Sequence, residues 1–181
     1  MGLRARKTSV HEQIGDLSPI AGTSRSPDLH LPEPGLQFAA LPYRLAGGGE
    51  VDVLLITSRE TRRWVIPKGW PMKGKKPHQA AAIEARQEAG VDGRIHKLAL
   101  GEYDYVKRLK NGAPLDCTVE VFALEVMQQR RHWREKGERV SRWFRAEDAA
   151  HAVEEPALRG LIMAFAVRMA IAWSLETGGP D

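Results

Sequence analysis

One cysteine in 181 residues, Cys117, excludes an intramolecular disulfide framework and makes a reducing, cytoplasmic setting the natural expectation. Zinc-ligand spacing is missing too: His78, His96, His132 and His151 are scattered along the chain. There is no internal repeat. The most apolar stretch, "LIMAFAVRMAIAW" from Leu161 to Trp173, is shorter than a membrane span and is interrupted by Arg168. No apolar leader follows the basic start "MGLRARKTSV". A soluble protein without a membrane partner is therefore expected, either monomer or homodimer. Against these absences stands a formal net charge of +4, which favours anionic partners and leaves both phosphorylated metabolites and nucleic acid open.

Residues 1–35 are rich in Ser, Pro, Gly and charge ("SPIAGTSRSPDLHLPEPG") and hold too little apolar surface to offset the entropy of folding, so a disordered N-terminal tail is expected there. The domain is expected over residues 36–181. "LQFAALPYRL" and "VDVLLITSR" read as two strands joined by the Gly-rich turn "AGGGE", and "RRWVIP" as a third strand. "PHQAAAIEARQEA" reads as a helix opened by Pro77 and stopped by Gly90. Beyond it, "RIHKLALGEYDYVKRL" and "LDCTVEVFALEV" flank the turn signal Asn111-Gly112 and read as a hairpin. "RVSRWF" is a short strand and "RAEDAAHAV" opens a helical region. The stripe Leu158, Leu161, Ile162, Phe165, Met169 and Trp173 marks a final packing helix. The sum is a layered α/β domain.

The chemistry concentrates in "VIPKGWPMKGKKPHQAAAIEARQEAGV", which combines a strand, a Gly- and Lys-rich loop and a helix. Glu84 and Glu88 are four residues apart, so their carboxylates share one helix face, with Gln87 beside them. Two hard oxygen ligands on a rigid rod suit Mg²⁺, which takes one or two carboxylates and completes its shell with water and phosphate oxygens. Such an ion neutralises charge on a diphosphate leaving group and lowers the pKa of an attacking water.

This segment resembles the signature of the Nudix hydrolases, with Gly69, Glu84, Glu88 and Gly90-Val91 in register. The flanks "VLLITSR…RRWVIPKGW" and "HWREKGERVSRWF" are similar to the diphosphoinositol polyphosphate phosphohydrolase branch and its bacterial relatives. The resemblance implies a mixed β-sheet sandwiched between helices and a pyrophosphohydrolase using Mg²⁺, with Mn²⁺ as the alternative ion. It implies metal ligation by the Gly69 carbonyl, Glu84, Gln87 and Glu88, with Glu84 and Glu88 catalytic. Three positions depart from the pattern: Lys75 stands for a Glu, Ile83 for an Arg and Gln87 for a metal-binding Glu. Gln87 keeps an oxygen but loses a charge, which weakens the metal site. Ile83 removes a guanidinium that orients acidic side chains.

Nudix hydrolases often draw a further carboxylate from outside the helix, and Glu120 and Glu138 are the candidates here. The stretch around Trp133 resembles the family's Trp-containing loop, which implies that Glu135 and Glu138 can approach the mouth. For substrate phosphates the resemblance points to Arg44, Arg59, Lys68 and Arg108, with Arg139 as another candidate. The expected activity is metal-dependent hydrolysis of a phosphoanhydride in a nucleoside-diphosphate-linked compound, a diadenosine polyphosphate or an inositol pyrophosphate. Two alternatives are a Nudix-fold module that binds a phosphorylated ligand without turnover, suggested by the three departures, and an RNA 5′-end pyrophosphohydrolase, suggested by the basic charge.

Overall fold

The structure, a computed structural model, describes residues 35–109 and 111–177. The expected tail lies outside the described residues except for Gly35, which already opens the first strand. Eight strands form one sheet: β1 (Gly35–Leu45), β2 (Val51–Thr57), β3 (Trp64–Val65), β4 (Lys68–Gly69), β5 (Val91–Ile95), β6 (Gly101–Arg108), β7 (Pro114–Gln129) and β8 (Ser141–Arg145). The helices are α1 (Pro77–Glu88), α2 (Ala146–Ala152) and α3 (Pro156–Thr177). The spine runs β3-β2-β1-β7-β5, with β4 pairing β1, β6 pairing β7 and β8 pairing β2. Only the β1–β7 ladder is parallel among the pairings of the described strands.

The period-two alternation of β1 explains the layering. Phe38 and Ala40 point to the α1 side, where Leu54, Ile56, Phe122 and Leu124 join them. Ala39, Leu41 and Tyr43 point to the α2–α3 side with Val53, Leu55, Val119 and Val121. Helices thus cover both faces, as expected of an α/β/α sandwich. The inner face of α1 is built from Ala80, Ala81 and Ala85, with Ala89 capping its end, all fully buried. Those methyl groups let the helix lie close to the sheet, which brings Glu84 and Glu88 down to strand level.

Three expectations change in detail. The strand expected over "RRWVIP" is shortened to β3, ending before Pro67, which has no N–H to give to a ladder, and β4 follows beyond it; the Pro67 carbonyl instead accepts the Ala40 N–H at 3.0 Å. The segment expected as the first arm of the second hairpin divides as well. Only β6 pairs with the near half of β7, while β5 pairs with its far end across a bulge at Asp92/Gly93. The terminal helix is longer than the apolar run suggested: α3 has 22 residues, and its mean hydropathy of 1.5 over an 18-residue window is sufficient by length and composition for a membrane span. Its inner stripe, Leu158, Ile162 and Phe165, is committed to the core.

Candidate functional site

Gly69 is the pivot of the site. In β4 it pairs with Phe38 of β1, and a Cβ at this position would fall on the carboxylate of Glu84. Glycine is required here for close approach, and Glu84 is held against the strand backbone as a result. Glu84 accepts no hydrogen bond from the described residues. Burial pushes its carboxyl above the usual range, the charge of Glu135 pushes it further, and Arg134, Arg139 and Lys107 pull it back.

One turn along α1, Glu88 is 8% exposed. Its Oε2 accepts the Lys68 backbone N–H at 3.0 Å, and its Oε1 accepts from Nη2 of Arg139. Burial pushes Glu88 up to about 7 against the lowering effect of Arg139 and of the Lys68 N–H. Lys68 is shifted the other way: burial holds its ammonium down at about 8, with Glu88 and Glu155 pulling it back up. The Lys68 Nζ lies 4.9 Å from the centre of the Tyr105 ring.

The segment between β7 and β8 is latched onto the end of α1. The last carbonyls of a helix lack intrahelical partners. Here the Gln87 carbonyl accepts the Glu135 N–H at 3.2 Å, the Glu88 carbonyl accepts the Trp133 indole N–H at 3.2 Å, and the Gly90 carbonyl accepts the Arg130 N–H at 2.8 Å. Gly90 has φ +70°, and a Cβ on it would lie 2.5 Å from the Trp133 ring, so glycine is needed for both conformation and space. The latch carries Glu135 and Arg139 to the two box carboxylates, and its cations also suit the negative end of the helix dipole.

The expected residues divide as follows. Glu84, Glu88, Gly69 and Lys68 are brought together. Gln87 is adjacent, but its side-chain oxygen accepts from Nη1 of Arg134 at 3.1 Å. Glu138 faces outward, 3.5 Å from Arg59, and its carbonyl accepts from Arg62. Glu120 is aligned with Phe38 on the α1 side of the sheet, two strands and so about 10 Å from Gly69. Arg59 reaches Glu135 at 3.8 Å on the rim of the site. Arg44 is not brought to the site: it lies roughly 20 Å along β1 from Phe38 and pairs with Asp52 at 2.9 Å, stacked on Trp143. Arg108 ends β6, whereas its neighbour Lys107 covers the Trp70 ring at 4.6 Å and helps lower the Glu84 carboxyl. Sequence reasoning did not single out Arg134 or the contact of Arg139 with Glu88, which spans 51 residues.

Among the described residues no three His, Cys, Asp or Glu side chains group at metal-ligand spacing. The donor set still fits a hard cation: two carboxylates, one of them unpaired, beside the main chain of Gly69. A carboxylate oxygen that accepts one hydrogen bond keeps a further lone pair.

Residues 36–165 match the NUDIX domain family. Nudix hydrolase 12, mitochondrial, of Arabidopsis thaliana is 30% identical over 131 residues, covering 63% of this chain and 64% of that protein. Diphosphoinositol polyphosphate phosphohydrolase 3-alpha of Mus musculus is 32% identical over 108 residues, covering 58% and 62%. The chain thus spans less than two thirds of the length of these curated relatives. Among solved structures, a NUDIX hydrolase from Nitrosomonas europaea superposes with a TM-score of 0.58 at 17% identity, covering 76% of this chain and 91% of that one. A C. elegans Ap4A hydrolase binary complex gives 0.56 at 22% identity, covering 75% and 98%. With a domain match over most of the chain and the same fold in solved relatives, the strand, loop and helix around Gly69, Glu84 and Glu88 are those of a family member: the chain belongs to the Nudix family.

Proposed function

We propose that this protein is a divalent-metal-dependent hydrolase of a phosphoanhydride bond. The observation that carries the reading is the carboxylate of Glu84, half-buried, unpaired among the described residues and pressed against Gly69 one turn from Glu88. Glu84, Glu88 and the Gly69 carbonyl would hold Mg²⁺ or Mn²⁺, which supplies charge neutralisation on the diphosphate. Glu135, carried by the latch, is the carboxylate from outside the helix, in place of Glu120 and Glu138. Gln87, engaged with Arg134, stands beside the ligand set rather than in it. A Glu84 oxygen not engaged by the ion would accept a proton from an attacking water. Lys68 and Lys107 flank the same spot and meet the phosphates. Diadenosine polyphosphates and inositol pyrophosphates are the substrate classes that the relatives suggest. The test is phosphate release from a panel of both classes with Mg²⁺ and with Mn²⁺: release requires the ion and is abolished in Glu84→Gln, and undiminished release in that variant removes the proposal.

A second reading, a binding module without turnover, draws on Gln87. Its amide stands where the family carries a second acid. Tight ligand binding by calorimetry, with no product after prolonged incubation with metal, favours this reading over hydrolysis.

A further inference from the structure

Three acids crowd the end of α1: Glu84, Glu88 and Glu135. One guanidinium stands among them. Arg139 gives its Nη2 to Glu88 Oε1, its Nε to Glu135 Oε2 at 2.7 Å and its Nη1 to the Thr57 carbonyl at 2.9 Å, with its side chain 8% exposed. Each of its three nitrogens donates. The Val140 N–H donates to the Thr57 hydroxyl at 3.0 Å, so the arginine's own segment is fixed to β2.

Stability does not account for this arrangement. Removing two carboxylates and a guanidinium from water costs several kcal/mol per ion, and well-packed apolar residues serve stability as well or better. What the planar fork supplies is direction: it fixes two carboxylates at set angles, which a lysine's single point charge cannot do. Glu84 receives no such bond from Arg139, so the fork divides the three acids into two that it holds and one that it leaves. The helix itself lacks a guanidinium for this task, because Ile83 stands at the signature's arginine position.

We propose that Arg139 is the positioning residue of this site, supplying from the segment after β7 the orienting guanidinium that α1 lacks at Ile83. The inference rests on the metal-binding reading of Glu84 and Glu88. Charge and positioning predict opposite signs. Deleting a cation beside a metal site tightens metal binding by Coulomb's law, whereas loss of an orienting partner weakens it, by about 10–100-fold for residues that orient metal ligands.

The experiment measures Mn²⁺ affinity of the full chain without substrate, by the free-ion electron paramagnetic resonance signal, in wild type, Glu84→Gln, Arg139→Gln, Arg139→Lys and Arg139→Gln combined with Ile83→Arg. Thermal unfolding is followed in parallel. Arg139→Gln is expected to bind Mn²⁺ at least tenfold more weakly, Arg139→Lys to recover only part of that loss, and the added Ile83→Arg to recover most of it. Should Arg139→Gln fail to fold, Arg139→Lys is measured alone and in a further variant combined with Ile83→Arg, and carries the same comparison. Unchanged or tighter binding in folded Arg139 variants, or no recovery with Ile83→Arg, overturns the proposal. Wild-type protein that does not bind Mn²⁺ removes the metal reading and this proposal together; wild-type binding lost in Glu84→Gln but kept in Arg139→Gln removes this proposal alone.

Discussion

Replacing Gly90 by alanine tests how the latch is held to α1. The residue sits at φ +70°, where an L side chain costs roughly 1–2 kcal/mol. Its new methyl would lie 2.5 Å from Cδ2 and Cε3 of Trp133, so the indole must move and give up the 3.2 Å bond from its N–H to the Glu88 carbonyl, worth about 1 kcal/mol. The sum is about 2–3 kcal/mol, and for a chain of this size each kcal/mol lowers the unfolding midpoint by about 2–4 °C. A fall of roughly 5–10 °C is expected by calorimetry. The cycle with Trp133→Ala separates the two contributions. In that background only the backbone part remains, so Gly90→Ala should cost about 1 kcal/mol less than it does beside Trp133. Equal costs in both backgrounds would refute the packing of Trp133 on Gly90, and with it the latch.

The remaining predictions concern charge. Gln87→Glu gains little metal affinity alone, because the new carboxylate pairs with Arg134; combined with Arg134→Ala it should strengthen Mn²⁺ binding, and a full gain from the single substitution would show that Arg134 is not holding residue 87. Mn²⁺ affinity should rise from about pH 6 to about pH 8, since the ion must displace protons from Glu88, titrating near 7, and from the raised Glu84; a flat profile contradicts this. Because the Glu88 carboxyl is raised on folding, its contribution to metal-free stability is complete below about 4.5 and is lost as pH climbs through about 7, so the metal-free midpoint should drop over that window and added Mn²⁺ should restore it. Arg44→Ala should leave phosphate release within about twofold of wild type, as for loss of a surface ion pair, whereas Lys68→Ala should raise KM; the reverse pattern would put the phosphate grip at the wrong end of β1.

Much of the site was legible in sequence because its parts are local. Glu84 and Glu88 share a helix face by spacing alone, Gly90 ends the helix as its type suggests, and the signature fixed Gly69 as their neighbour. The residues that sequence placed less well act through distant contacts. Arg139 and Glu135 reach α1 only because Trp133 and Arg130 dock on carbonyls that any helix would leave open, and no periodicity marks such a bond. Arg44 was misplaced for the converse reason: its strand was assigned correctly, but which end of β1 faces the helix depends on the pairing of Phe38 with Gly69. Composition marks the whole of "RRWVIP" as strand, although only Trp64 and Val65 pair with β2 and the missing N–H of Pro67 bars it from the ladder.

The parallel ladder joining residues 35–43 to 117–125 has a kinetic consequence. Contacts so far apart in sequence close late, because the loop between them must be ordered before they form. α1 is local and can form early, yet its acids acquire their partners only after β7 has returned past β1 and the chain has turned back through Arg139. Competence to bind a metal should therefore lag behind helix formation in refolding, and a stopped-flow trace of Mn²⁺ uptake should follow the slowest phase rather than the first.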